Sequence, residues 1–100
     1  MNDDLMRKIG TEIASQRMRV PVQNRAKFDI ESRDTFEVIR KANLDGDNKK
    51  IKRLLNRWMF RAEWMERCAN CYLAPPMLIR KEYETMEEYL NRCYEAGKGI

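Results

Sequence analysis

Residues 48–72 place the strongest constraint on the fold. Ile51, Leu54, Leu55, Trp58, Ala62, Met65, Ala69 and Tyr72 recur at spacings of three and four. Side chains so spaced share one face of an α-helix, and a helix with a sustained apolar face buries it against other elements. A chain of 100 residues supports one core, because a domain of this size buries roughly 60–70% of its unfolded surface. Charged residues make up 36% of the chain. Both signs are interspersed, so the pattern of low hydrophobicity with large net charge that marks disorder is missing.

Further helices are legible on either side. In DDLMRKIGTEIASQRM, residues 3–18, Leu5, Ile9 and Ile13 fall four apart with Met6 beside them, which predicts an amphipathic helix. Asp3 and Asp4 sit in its first turn, where the helix dipole favours negative charge. Residues 19–31, RVPVQNRAKFDIE, show no helical period. Proline pushes the residue before it out of the α region, so Val20-Pro21-Val22 is expected to be extended. A second helix is then expected from Asp34, with Asp34 and Glu37 as a capping box and Phe36, Ile39 and Leu44 on its buried side. NLDGDN, 43–48, reads as its end. Gly46 is suited to positive φ, and Asp47 or Asn48 is suited to cap the long helix that follows. The same stretch lacks the alternate acids and closing glutamate of a calcium loop. Thr85 and Glu88 form another capping box, which opens a last helix with Met86, Tyr89, Leu90 and Cys93 inward and Gly97 as its stop. Between the helices, Pro76 can open a short helix, or Met77 to Ile79 can pair with Val20 to Val22. These signals predict a mainly α, single-domain protein over 1–100, with about four helices and room for one short extended pairing.

The motif that most invites a chemical reading is CANCYLAPP, residues 68–76. A structural zinc site wants four Cys or His ligands. The chain has three cysteines, Cys68, Cys71 and Cys93, and no histidine. A redox CxxC pair sits at a helix start, where the dipole lowers the thiol pKa. Here the pair falls at a helix end. The plainer reading is three small apolar side chains at the inner edge of helices, with Pro75 and Pro76 stopping the long one. The absence of histidine also removes the commonest general base near neutral pH. The expectation is therefore a non-enzymatic protein without metal or cofactor.

The surface carries a different signal. In KKIKRLLNRWMFR, residues 49–61, subtracting the apolar stripe leaves Lys49, Lys50, Lys52, Arg53, Arg57 and Arg61. Spacings such as 49–53–57 align these cations along one side of the helix. They crowd its N-terminal half, where the dipole disfavours positive charge by some tenths of a kcal/mol each. Helix stability alone does not select such a row. An anionic partner does, either a phosphate backbone or an acidic protein surface. Nucleic acid would want the patch extended, by Arg25, Lys27, Arg40 or Lys41, with aromatics such as Phe60 exposed for stacking. Trp58 belongs to the core stripe. The plain alternative is a solvated face, with acids such as Glu12, Glu31 or Glu84 folded over it. Trp64, Tyr83 and Tyr94 fall off the stripes and are the aromatic candidates for an interface.

No stretch reaches the ~18 apolar residues of a membrane span, and MNDDLMRKIG lacks the basic, then apolar, order of a signal peptide. A cytoplasmic protein is expected. A short, basic, helical, methionine-rich chain of this kind is similar to the small accessory proteins of temperate bacteriophages. In length and general character, over the whole chain, it most resembles the anti-RecBCD proteins of lambdoid phages. That resemblance implies a protein of the host cytoplasm that binds the RecBCD helicase–nuclease and modifies its activity during DNA recombination. It also implies host prolyl isomerase as a partner, with Pro75 and Pro76 as the double-proline target. From the residues alone, a small nucleic-acid-binding protein using the 49–61 face stands beside this reading.

Overall fold

The long stripe folds as read. In this computed structural model, residues 3–67 and 78–98 are described, and helix α3 spans Asn48–Arg67. Ile51, Leu54, Trp58, Ala62 and Met65 are buried, with Leu55 half-buried beside them. Asp47 caps the helix, its Oδ1 accepting the Lys50 backbone N–H at 3.1 Å. Three more helices among the described residues pack around it: α1 (Asp3–Arg17), α2 (Val22–Leu44) and α4 (Met86–Gly97). The packing places α2 and α4 against α3, α1 against α2, and a smaller contact between α2 and α4. The expected mainly α single domain is the fold of the described residues, and none of these helices is long and apolar enough to cross a membrane.

Helix α1 buries Ile9, with Leu5, Met6 and Ile13 partly covered against the core. Its last turn turns polar inward. Gln16 is buried and donates to Ala62 O (3.3 Å) and to Glu66 Oε1 (3.0 Å). Helix α4 opens on the expected capping box: Thr85 Oγ1 accepts the Glu88 N–H, and Glu88 Oε1 accepts the Thr85 N–H. Met86, Tyr89, Leu90 and Cys93 then face the core. Gly46 takes φ 71°, the left-handed conformation that favours glycine, and turns the chain from α2 into α3.

Helix α2 departs from expectation. It begins at Val22, directly after Pro21 (φ −57°, ψ 148°), twelve positions ahead of Asp34. Asp34 is therefore mid-helix and no cap, and Glu37 pairs with Arg40 at 2.9 Å instead. The inward positions of its first half are Phe28, Glu31, Ser32 and Thr35. They have helical spacing, but only one is apolar, so a hydrophobic period never forms. Leu44, expected inside, is 55% exposed, and Ala42 and Asn43 are buried in its place. Among the described residues no strand forms at Val20–Val22 or at 78–79, where an extended pairing is expected, because Val22 is helical and residues 78–81 run without regular structure; Met77 lies outside the described residues. Residues 68–77 lie outside the description, and with them the readings of Cys68, Ala69, Cys71, Tyr72, Pro75, Pro76 and the far end of the long helix.

Candidate functional site

Among the described residues the largest fully buried side chain is a charged one. Spacing groups Arg61 with the basic face, but its side chain is 2% exposed and belongs to the core. Its Nε donates to Glu31 Oε1 at 2.8 Å and its Nη2 to Glu31 Oε2 at 3.0 Å, a two-pronged pair between α3 and α2. Nη2 also donates to the Tyr89 hydroxyl at 2.7 Å, and that hydroxyl donates to Glu31 Oε2 at 2.6 Å. The Leu78 carbonyl lies 3.2 Å from the Tyr89 hydroxyl and 3.5 Å from Arg61 Nη2. Burial opposes the Arg61 charge, but the Glu31 carboxylate outweighs it and holds the guanidinium above its ordinary pKa. Burial, then the neighbouring Glu31 charge, pushes the Tyr89 phenol well up. Burial likewise raises the Cys93 thiol, so this cysteine lacks the accessible thiolate that redox chemistry needs. The cluster ties three helices and the 78 segment together. With Tyr89 and Cys93 sealed from solvent, it is a structural node.

Around that node a cavity of about 400 Å³ opens between α2 and the segment entering α4. Ile30, Leu78, Ile79 and Met86 make its hydrocarbon lining, and Lys27 and Arg80 stand at it. Ile30 is 53% and Ile79 75% exposed. Lys27 Nζ donates to Leu78 O at 3.0 Å, and Arg80 meets Asp34 at 3.3 Å. Burial and then the Arg61 charge lower the Lys27 pKa. The sequence reading missed this surface. Its signal was the pair Phe28 and Glu31 at helical spacing, with Ile30 falling outside that face.

Glu84 and Arg92 brace the same segment. Glu84 accepts from Arg92 Nε (2.8 Å) and Nη2 (2.9 Å) and from the Lys81 N–H (3.0 Å). The Arg92 hydrogen bonds, helped by the Lys81 N–H and opposed by desolvation, hold the Glu84 carboxyl at about 2, against about 4.3 in an unfolded chain. A carboxyl lowered on folding stabilises the fold above its unfolded pKa and loses that contribution as pH falls. The stability lost in Glu84→Gln is therefore expected to be largest above about pH 5 and to vanish between about pH 4.3 and pH 2. Urea denaturation of both proteins across that range measures it, and a difference that stays constant with pH contradicts it.

The basic face is smaller than the sequence reading drew it. Lys49 and Lys52 are exposed and Lys50 half-buried, and none is in an ion pair among the described residues. Arg53 pairs with Glu87 of α4 at 3.2 Å. Arg57 donates Nε to Asn91 Oδ1 (3.0 Å) and Nη1 to Asn56 Oδ1 (3.2 Å), and lies 3.7 Å from the centre of the Tyr94 ring. A cleft of about 380 Å³ between α3 and α4 is lined by Lys52, Arg53, Asn56, Arg57 and Asn91. Asn56 and Asn91 were missed because a single uncharged amide carries no pattern. Of the cations proposed to extend the face, Arg25 donates to Val20 O, Lys27 to Leu78 O and Arg40 to Glu37. Phe60 is not free to stack on bases: it packs on Trp64 and edge-on to Tyr94. Trp64, expected at the surface, is 7% exposed, while Tyr83 is 91% exposed.

Among the described residues no cluster of three or more Cys, Asp or Glu is arranged to hold a metal ion. Pro75 and Pro76, the expected isomerase target, lie outside those residues. No protein-family model matches the chain, and neither a curated protein nor a solved structure matches it.

Proposed function

We propose that this protein is a non-enzymatic binding module that docks on a larger protein assembly through the apolar cavity beside Ile30 and Ile79. The observation that carries this reading is that pair of large aliphatic side chains, 53% and 75% exposed on either side of a hydrocarbon-lined cavity of about 400 Å³. Exposed apolar surface rimmed by charge is characteristic of protein interaction sites. Lys27, Asp34 and Arg80 supply such a rim. A histidine-free sequence and a polar cluster sealed in the core fit a protein that acts by binding. The resemblance to lambdoid-phage anti-RecBCD proteins names the assembly: the host RecBCD helicase–nuclease, met in the host cytoplasm, with its activity inhibited or modified. The same resemblance carries host prolyl isomerase as a second partner through Pro75 and Pro76.

The test is binding of the full chain to purified RecBCD by biolayer interferometry, with the double variant Ile30→Glu/Ile79→Glu alongside. Both positions are exposed, so the melting temperature is expected to hold. Affinity is expected to fall at least about 30-fold, since a central anchor carries ~2 kcal/mol or more. Equal affinity of variant and wild type removes the cavity from the interface, and no binding by the wild type removes the partner.

A further inference from the structure

We propose that the α3–α4 cleft is a phosphate-binding site and that it takes the phosphate backbone of a nucleic acid. This goes beyond docking on a protein, because no lining residue of this cleft is shared with the apolar cavity.

The proposal rests on which hydrogen-bonding groups are left over. Asn56 and Asn91 each turn the acceptor oxygen toward Arg57, which donates to both. Turning those oxygens to Arg57 leaves the two amide NH2 groups, which meet no acceptor among the described residues, as donors for a ligand. Arg57 spends Nε and Nη1 on those oxygens and keeps the donors of Nη2, which meet no acceptor among the described residues. Lys52 contributes an ammonium with three donors and no acceptor. The remaining donors of Arg53 complete the lining, and Glu87 offsets one of the three positive charges. The polar atoms of the lining, set among the hydrocarbon stems of Lys52, Arg53 and Arg57, therefore include several free donors and positive charge, which is the complement of a phosphate oxygen. Arg57 is preorganised for this role. Two amides and the Tyr94 ring at 3.7 Å fix the guanidinium plane, so little side-chain freedom is lost on binding.

The neighbouring residues point to a repeating anion. Lys49, Arg53 and Arg57 follow at four-residue intervals, a rise of ~6 Å each along the helix, and Lys49 leads the row at the exposed start of α3. A single phosphate needs the cleft alone. A polyanion uses the row as well. Phe60 and Trp58 are committed to packing, so bases gain no stacking platform here and recognition is of the backbone, independent of sequence.

The experiment is fluorescence anisotropy of a labelled oligothymidylate with the full chain, over ~50 to ~200 mM salt. Contacts from three cations give a slope of log affinity against log salt of about −2, at ~0.7 per phosphate on single strands. Lys52→Gln is expected to reduce that slope by about 0.7. Asn91→Asp puts a carboxylate against Arg57. It is expected to weaken binding at least about tenfold while leaving the melting temperature unchanged or higher, because it adds an ion pair to the fold. A salt-independent affinity, or both variants binding like wild type, overturns the proposal. So does a doubly phosphorylated peptide that displaces the oligonucleotide at equal phosphate concentration, which assigns the cleft to phosphoprotein. Inorganic phosphate that fills the cleft at millimolar concentration without any oligonucleotide binding overturns the nucleic-acid assignment as well.

Discussion

Replacing Arg61 by methionine is expected to remove about 3–5 kcal/mol of the protein's stability. The side chain is 2% exposed and holds Glu31, Tyr89 and the Leu78 carbonyl at once. Its removal leaves a buried carboxylate with the Tyr89 hydroxyl as its remaining side-chain donor. Breaking a buried pair by removing one partner costs about 3–5 kcal/mol, out of the ~5–15 kcal/mol a domain of this size possesses. At roughly 4–8 °C per kcal/mol, the melting temperature falls by more than about 12 °C. Tyr89→Phe is the graded control. It leaves the Arg61–Glu31 pair intact and removes one hydroxyl, for a loss of about 1–2 kcal/mol. The triple change Glu31→Leu/Arg61→Met/Tyr89→Phe is expected to recover most of the loss, because a buried pair replaced as a whole by hydrocarbon is often neutral. Urea denaturation of the four proteins measures this. A loss below about 1 kcal/mol for Arg61→Met shows that water or other groups take over the arginine's role.

Trp58→Ala carries the second large effect, a loss of about 3–5 kcal/mol. The indole is 3% exposed and packs on Phe28, ring centres 6.1 Å apart, in the contact between α3 and α2. Its Nε1–H donates to Ser32 Oγ at 3.1 Å, within the same interface. The hydrogen bond separates the two parts of the effect. Trp58→Phe keeps most of the ring and leaves Ser32 without its donor, at a cost that includes about 1–3 kcal/mol for the orphaned hydroxyl. Adding Ser32→Ala to Trp58→Phe is expected to return part of that loss. If the added change has no effect or deepens the loss, the indole acts through volume alone. Double-mutant analysis of 32 and 58 by chemical denaturation gives the coupling.

These two sites explain what the sequence made legible and what it hid. Helices α1, α3 and α4 bury apolar side chains at spacings of three and four, and Thr85–Glu88 writes the start of α4 in two residues. The first half of α2 buries Glu31, Ser32 and Thr35. Each is acceptable inside only because another group meets it: Arg61 for Glu31, the Trp58 indole for Ser32, and the Glu31 carbonyl for Thr35, at 2.7 Å. Two of those partners lie 26 and 30 residues away, so a reading confined to one segment sees polar residues and concludes loop. The error at Arg61 has the same origin. Helical spacing groups it with Arg53 and Arg57, and only the carboxylate on α2 reveals that it points inward. The basic face survives in reduced form, as Lys49, Lys50, Lys52, Arg53 and Arg57. The cleft that organises it needs Asn91 from a helix 34 residues further along. Ile30 and Ile79 are likewise brought to one cavity by the fold and by nothing in the local sequence.

Sedimentation velocity of the full chain mixed with purified, nuclease-treated RecBCD at moderate salt tests the proposed docking function most directly. The expected result is a single boundary, heavier than the complex alone, that holds the small protein in fixed stoichiometry and loses it in Ile30→Glu/Ile79→Glu. Two independent boundaries at micromolar concentrations of both components contradict it.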